Sequence, residues 1–351
     1  MKRIWLAALL AAIHFCTLAG IAGAGEEAAP LAADLVSDGQ LIDIHSERYE
    51  GLFKELRISH DFTQAQLVEL FGGVAIKKRV LELMDTQWEA KPYYEYFPRF
   101  ITTQVIREGQ WMLEKHRELL DRVEERFGVE RQIVVAIWGI ESRFGKNDGA
   151  FGMFQTLNTL FDAYPRRRGF YRKQLIDFLV LCRDNGVDPL SITGSYGGAF
   201  GQTQFIPSSF VQYAVDFDGD GKRDVWNSTP DVLASIANYL RKFGWKMKDP
   251  VYVDIGSELR SQELFAAYKQ GRKGFVGRGV IEAAQSMRLP AVEKDGRLTV
   301  VGLETDNRGG MRFVAGYPNF QAITAWNNSN RYAMAVTELA ERFIGKGPVA
   351  D

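Results

Sequence analysis

The residue of this chain best placed to do chemistry is a glutamate at the end of an apolar stretch. Within Val129–Ile140, residues Ile133, Val134, Ile137 and Ile140 recur at helical spacing and face a core. Glu141 follows Ile137 by four residues, so it lies at the edge of that buried face. A carboxyl held against apolar surface loses hydration as an anion, and its pKa rises. Such a glutamate stays protonated near neutral pH and serves as a general acid. The bland alternative is a surface glutamate at a helix end, and perturbed carboxylates also occur at purely structural sites.

Three further groups accompany it. In Gly194–Phe210, Gly194, Gly197, Gly198 and Gly201 would let backbone approach a ligand closely. Ser195, Gln202 and Gln204 are neutral hydrogen-bonders suited to sugar hydroxyls and acetamido groups, and Tyr196, Phe200 and Phe205 offer apolar faces. A glycine-rich turn before a helix is the competing reading; the density of amides and aromatics favours a cleft. In Tyr164–Arg168, adjacent arginines suit anionic groups on a substrate, although by itself this run reads as a solvated positive turn. In Asp216–Asn227, residues Asp216, Asp218, Asp220 and Asp224 occupy positions 1, 3, 5 and 9 of an EF-hand loop. Gly221 stands at the sharp turn, and Lys222 is placed to offer its carbonyl. Position 12 is Asn227 rather than glutamate, and Asp231 is the residue that could close the site. This loop predicts a structural calcium ion rather than a calcium switch.

The elements that must position these groups are mostly helical. Residues 41–126 read as a helical domain broken at Pro92 and Pro98, with Tyr93, Tyr94, Tyr96 and Phe97 between, either as core or as a sugar-stacking wall. Residues 127–248 continue as helices with glycine-rich loops; 174–182 and 231–243 are the clearest, the latter punctuated by Pro230 and Gly244. Strand-like runs Val251–Ile255 and Leu298–Leu303, with a turn-type Asp295-Gly296, mark a small β-containing insertion over 249–318. Gly271, Gly274, Gly277 and Gly279 lack a strand-turn-helix frame and read as a mobile loop rather than a phosphate loop. The chain returns to helix at Tyr332–Phe343, within 319–351.

Composition sets the address. A basic start at Lys2 and Arg3, an apolar run from Ile4 to about Ile21 and Ala22-Gly-Ala24 read as a cleavable signal peptide over 1–24. The run is interrupted by His14, Thr17 and Gly20, which disfavours a membrane anchor. No small-residue lipobox precedes Cys16, so a soluble exported protein is expected. Residues 25–40 read as a flexible leader. Without Lys2 and Arg3, 41 basic residues face 44 acidic ones, which argues against nucleic acid as a partner. Cys182 is then the one cysteine, so no internal disulfide forms. His45, His60 and His116 have no zinc-ligand spacing. No organic cofactor is expected.

Together these runs resemble the lytic murein transglycosylase B family, glycoside hydrolase family 103. The matching stretches are Ile140–Gly145, Tyr164–Arg167, Gly194–Phe210, Asp218–Trp226 and Trp326–Ala335, in the family's order. The resemblance implies a mainly α fold: a lysozyme-like core with an added helical domain and a small β-containing inserted domain. It implies cleavage of the β-1,4 bond between N-acetylmuramic acid and N-acetylglucosamine in periplasmic peptidoglycan. It implies Glu141 as acid and base, and Ser195 and Gln204 as saccharide-positioning groups. Tyr239, Asn327, Tyr332 and Tyr96 would be cleft residues, Arg166 and Arg167 would lie near the peptide, and Asp231 would be the late calcium ligand. Glycan strands are the expected partner of a monomer, with cell-wall synthesis or hydrolysis proteins as further candidates. One carboxylate would act first as acid and then as base toward the C6 hydroxyl, forming 1,6-anhydro-muramic acid without water. A hydrolytic muramidase using a second carboxylate, with Asp148 and Asp162 nearest in sequence, stays open, as does a non-catalytic peptidoglycan-binding scaffold.

Overall fold

The computed structural model describes residues 31–85, 91–292 and 296–346. The signal segment 1–24 and Asp295 lie outside the described residues. At the centre is the helix Arg131–Ser142, apolar on every side and buried from Ile133 to Ser142. A helix apolar all round must be enclosed by other elements. It packs against the helices Thr103–Lys115, Thr229–Lys242 and Asn330–Phe343. The helix ends because Ser142 Oγ donates back to the Trp138 carbonyl at 3.2 Å, and because Arg143 turns left-handed with φ 53°.

Around this axis, Met153–Ala163 packs on Arg168–Asn185, which also carries Pro207–Tyr213. Residues from 41–126 enter the same core rather than building their own. Tyr49, for example, meets Phe53, Phe71 and Phe161 edge-on, and its hydroxyl donates to Asn158 Oδ1 at 3.0 Å. The expected leader is ordered from residue 31: Ala32–Leu35 form a 3-10 turn, Ala33 is buried, and Gly39 N donates to the Ile76 carbonyl. Burial of even one small apolar side chain with a paired backbone is what a flexible leader lacks.

The β-containing part is a four-stranded antiparallel sheet ordered Tyr252–Gly256, Met311–Gly316, Leu298–Glu304, Phe275–Val276. Successive side chains of a strand point to opposite faces. Here both faces are used. Leu298 and Val300 join the small core with Leu264 and Ile281, whereas Val301 and Leu303 join the large helical core. The sheet is thereby the shared wall between the two cores. Its hairpin turns between Glu304 and Met311; the expected Asp295-Gly296 turn falls partly outside the described residues. The glycine run is not a mobile loop either. It supplies the 3-10 turn Gly271–Lys273, the strand Phe275–Val276 and the start of the helix Arg278–Gln285. None of the described helices is long and apolar enough to cross a membrane.

Candidate active site

The central helix carries Glu141 into its last turn, where the side chain is only 4 % exposed. The burial is deeper than the edge position expected from periodicity. Two donors converge on one carboxyl oxygen: Trp326 Nε1 reaches Oε1 at 2.9 Å, and the Tyr332 hydroxyl reaches the same atom at 2.5 Å. Burial pushes the Glu141 pKa from 4.5 to about 8, against the lowering effect of those two hydrogen bonds. The negative end of the helix dipole also disfavours an anion at this position. Burial and the neighbouring carboxyl hold the Tyr332 hydroxyl well above its ordinary range, so it stays a donor. The arrangement is a neutral carboxylic acid fixed in orientation at neutral pH, which is what proton donation requires.

Beside it runs a cleft of about 520 Å³, lined by Trp326, Gln204, Tyr239 and Arg167 on the helical side. Arg272, Phe275 and Thr299 line it from the sheet side. Glu141 is not in the cleft wall itself; Trp326 links the two, lining the cleft and holding the acid. The Trp326 ring is fixed by Phe205 at 5.0 Å and by Tyr239 at 4.7 Å, and the Tyr239 hydroxyl donates to the Ala325 carbonyl at 2.6 Å. Gln204 uses its amide nitrogen on the Asp148 and Gly201 carbonyls, leaving Oε1 buried and unpartnered. Asn327, 1 % exposed and next to Trp326, leaves both side-chain polar atoms buried without a partner. Each such group costs about 1–3 kcal/mol unless a ligand or water completes it, and buried unpartnered groups collected beside a cleft mark a binding site.

The other expected residues fall less centrally. Tyr96 is buried close enough to Tyr332 to help raise that hydroxyl's pKa. Ser195 is buried and spends its Oγ accepting from Ala199 N at 3.0 Å. Arg166 is exposed outside the cleft, whereas Arg167 lines it. Gln202 is a structural fastener rather than a sugar ligand, bridging Trp138 Nε1 to the Trp226 carbonyl. The glycines serve the protein as well: a Cβ on Gly194 would sit 2.3 Å from the Ala199 carbonyl oxygen, so backbone approaches backbone there. Asp162 is ion-paired with Arg48 at 2.7 Å, and Asp148 lines a separate cavity.

In the acidic loop, carboxylate oxygens of Asp216, Asp218 and Asp231 lie within 4.8 Å of one another. Asp231 is fully buried and accepts from Phe217 N and Asp224 N at 2.7 and 2.8 Å. Burial raises its pKa. Asp220 accepts from Lys222 N and Asp224 from Trp226 N and Asn227 N, and Asp216 and Asp218 likewise accept from loop backbone, but only Asp216, Asp218 and Asp231 converge. Three converging carboxylates fit a hard, oxygen-seeking cation such as calcium.

The transglycosylase SLT domain matches residues 46–341, most of the chain. The chain belongs to the lytic transglycosylase family. It is 33% identical over 293 residues to membrane-bound lytic murein transglycosylase B of Escherichia coli K12, covering 80% of this chain and 78% of that one. Soluble lytic transglycosylase SltB1 of Pseudomonas aeruginosa superposes with a TM-score of 0.75 at 37% identity, over 84% of this chain and 97% of that one. Escherichia coli Slt35 in complex with calcium gives a TM-score of 0.76 at 30% identity, over 87% and 96%. Pseudomonas aeruginosa SltB3 in complex with NAG-NAM-pentapeptide gives 0.73 at 32%, over 87% and 81%. The mainly helical, lysozyme-like class is therefore established for this transglycosylase. Trp326, which donates to Glu141 and lines the cleft, is the side chain that the sequence does not single out. It opens the run Trp326–Ala335, and a donor-only indole six residues before Tyr332 was the available signal.

Proposed function

We propose that this transglycosylase cleaves the bond between N-acetylmuramic acid and N-acetylglucosamine without water, with Glu141 as sole acid and base. The observation that carries the reading is the pair of donors on Glu141 Oε1. An oxygen accepting two hydrogen bonds is the carbonyl oxygen of the acid, so the proton resides on Oε2. That proton passes to the glycosidic oxygen as its bond to muramic acid C1 breaks. The substrate's own acetamido group meets the positive charge at C1. The Glu141 carboxylate then takes the proton of the C6 hydroxyl, whose oxygen closes on C1, and the acid is regenerated. Hydrolysis by the usual pair would need a second carboxylate. Among the described residues that line the cleft there is no Asp or Glu, which supports the one-carboxylate route.

Gln204 Oε1 and the Asn327 amide are the groups we assign to acetamido and hydroxyl recognition, with Arg167 on the peptide side. Asp216, Asp218 and Asp231 would hold a structural calcium. The likeness to calcium-bound Slt35 supports this ion, and the fragment-bound SltB3 supports glycan strands with stems as the partner. The basic, apolar segment Lys2–Ile21 supports export to the periplasm.

Digestion of purified peptidoglycan followed by mass spectrometry tests the reaction. Muropeptides lighter by one water than reducing-end products are expected; reducing-end products would mean hydrolysis and would overturn the one-carboxylate route. Tyr332→Phe provides a second check. The Tyr332 hydrogen bond lowers the Glu141 pKa, so its loss raises that pKa further. The alkaline limb of the kcat/KM profile should move up by about one pH unit. A limb that stays in place would show that Tyr332 does not tune the acid.

A further inference from the structure

The cleft differs in charge from the chain that builds it. The formal net charge of the chain is −1, yet the described residues lining the cleft include Arg167 and Arg272 and no carboxylate. Glu141, beside the cleft, is neutral at pH 7 because its pKa is held near 8. A cleft that binds only neutral acetamido sugars has no need of two guanidinium groups on its walls.

The two arginines come from different parts of the fold. Arg167 stands in the turn before the helix Arg168–Asn185, with its guanidinium 4.0 Å above the Phe170 ring and Nη1 buried without a partner. Arg272 comes from the small β-containing unit, in the turn Gly271–Lys273 that leads into the strand Phe275–Val276. That strand pairs Phe275 with Thr299, and all three residues line the cleft as one wall. The turn is held in place. A Cβ on Gly274 would lie 1.8 Å from the Ala267 carbonyl oxygen, so only glycine lets the turn rest on the helix Gln262–Lys269.

We propose that Arg272 is a specificity residue: it presents the β-containing unit's cation to a carboxylate on the muramyl side of the strand, in the cleft that Arg167 also lines. This rests on the peptidoglycan reading above. Guanidinium is the side chain suited to planar recognition of carboxylate. The carboxylate belongs either to the peptide stem or, on a stem-free strand, to the lactyl group.

The test is binding, with no turnover needed. Glu141→Gln and the double variant Glu141→Gln/Arg272→Gln are titrated with stem-bearing strands, with strands stripped of stems by an amidase, and with a neutral β-1,4 oligomer of N-acetylglucosamine. The double variant should bind stem-bearing strands about tenfold more weakly at low salt, with a smaller difference at high salt. Its affinity for the neutral oligomer should be unchanged, and Arg272→Lys in place of Arg272→Gln should recover part of the loss. A loss confined to stem-bearing strands assigns the stem carboxylate, a loss confined to stripped strands assigns the lactyl carboxylate that stripping frees, and a loss on both means that Arg272 takes either. Equal affinity of both proteins for every strand would overturn the proposal. So would an equal loss on the neutral oligomer, which would mean a distorted cleft. Failure of the catalytic reading shows separately, as absence of one-water-lighter products from the wild-type enzyme.

Discussion

Glu141→Gln should abolish strand cleavage and at the same time make the protein more stable at alkaline pH. The catalytic half follows from one group serving both proton transfers. General acid–base catalysis by one positioned side chain contributes about 10²–10⁴-fold, and losing both roles together places the loss toward the upper end, about 10⁴-fold. Gln reproduces the neutral acid: its carbonyl oxygen can accept from Trp326 and Tyr332, and its NH₂ replaces the Oε2 hydroxyl. Substrate binding should therefore survive, which separates lost chemistry from lost recognition. In the wild type, the acid step requires a protonated carboxyl, so kcat/KM should fall as pH rises through about 8.

The stability half follows from linkage. The folded-state pKa of Glu141 lies near 8, above the 4.5 of the free side chain. Between those values the folded protein holds a proton that the unfolded chain has released. Stability therefore declines with rising pH from about 4.5 to about 8 and then levels off. At about 1.4 kcal/mol per pH unit, the decline attributable to this group approaches about 5 kcal/mol above pH 8. Gln does not titrate. Glu141→Gln should match the wild type near pH 4.5 and exceed it by several degrees in Tm at pH 8.5. Thermal melts across pH check this; parallel curves for the two proteins would mean that Glu141 is not held neutral by burial.

The burial of the apolar run before Glu141 was legible from sequence, but the depth of its terminal carboxyl was not, since periodicity placed it only at the edge of the buried face. The two donors were not equally legible. Tyr332 entered through a family resemblance, whereas Trp326, 185 residues from Glu141, has no local pattern that aims its indole at a carboxyl. The strands Tyr252–Gly256 and Leu298–Glu304 were visible because β-branched residues fill them. Phe275–Val276 was not, because a two-residue strand has no periodicity and the glycines around it mimic a loop. The same ambiguity hid the task of Gln202. An amide in a glycine-rich stretch is chemically suited to sugar, and only the fold shows that both of its ends are spent on Trp138 and Trp226. Gly194 has the complementary lesson: absence of a Cβ predicts a close approach but not which group approaches.

Calcium removal should lower stability and weaken substrate binding more than it slows turnover. The cluster of Asp216, Asp218 and Asp231 concentrates negative charge, with Asp231 fully buried, and a bound cation offsets that repulsion. An ion that binds only the folded state at 100 times its Kd stabilises by about 2.7 kcal/mol, which for a chain of this size is about 5 °C in Tm. Chelation should produce that drop, and added calcium should reverse it. Asp231→Asn removes a buried charge and one of the two oxygens that accept from Phe217 N and Asp224 N, so its Tm should start lower and no longer respond to calcium. The route to the cleft is explicit. The loop's Val225 and Trp226 carbonyls accept from the backbone and side chain of Gln202, two residues before Gln204 in the cleft wall. Gln202 also accepts from Trp138 Nε1, on the helix that carries Glu141, so the acid is reached only indirectly, through a neighbouring side chain. Loosening the loop should therefore displace Gln204 and raise KM by more than it lowers kcat. A Tm indifferent to both chelator and Asp231→Asn would show that the loop folds without an ion. A fall in kcat at constant KM would show that the loop acts on the acid and not on the cleft wall.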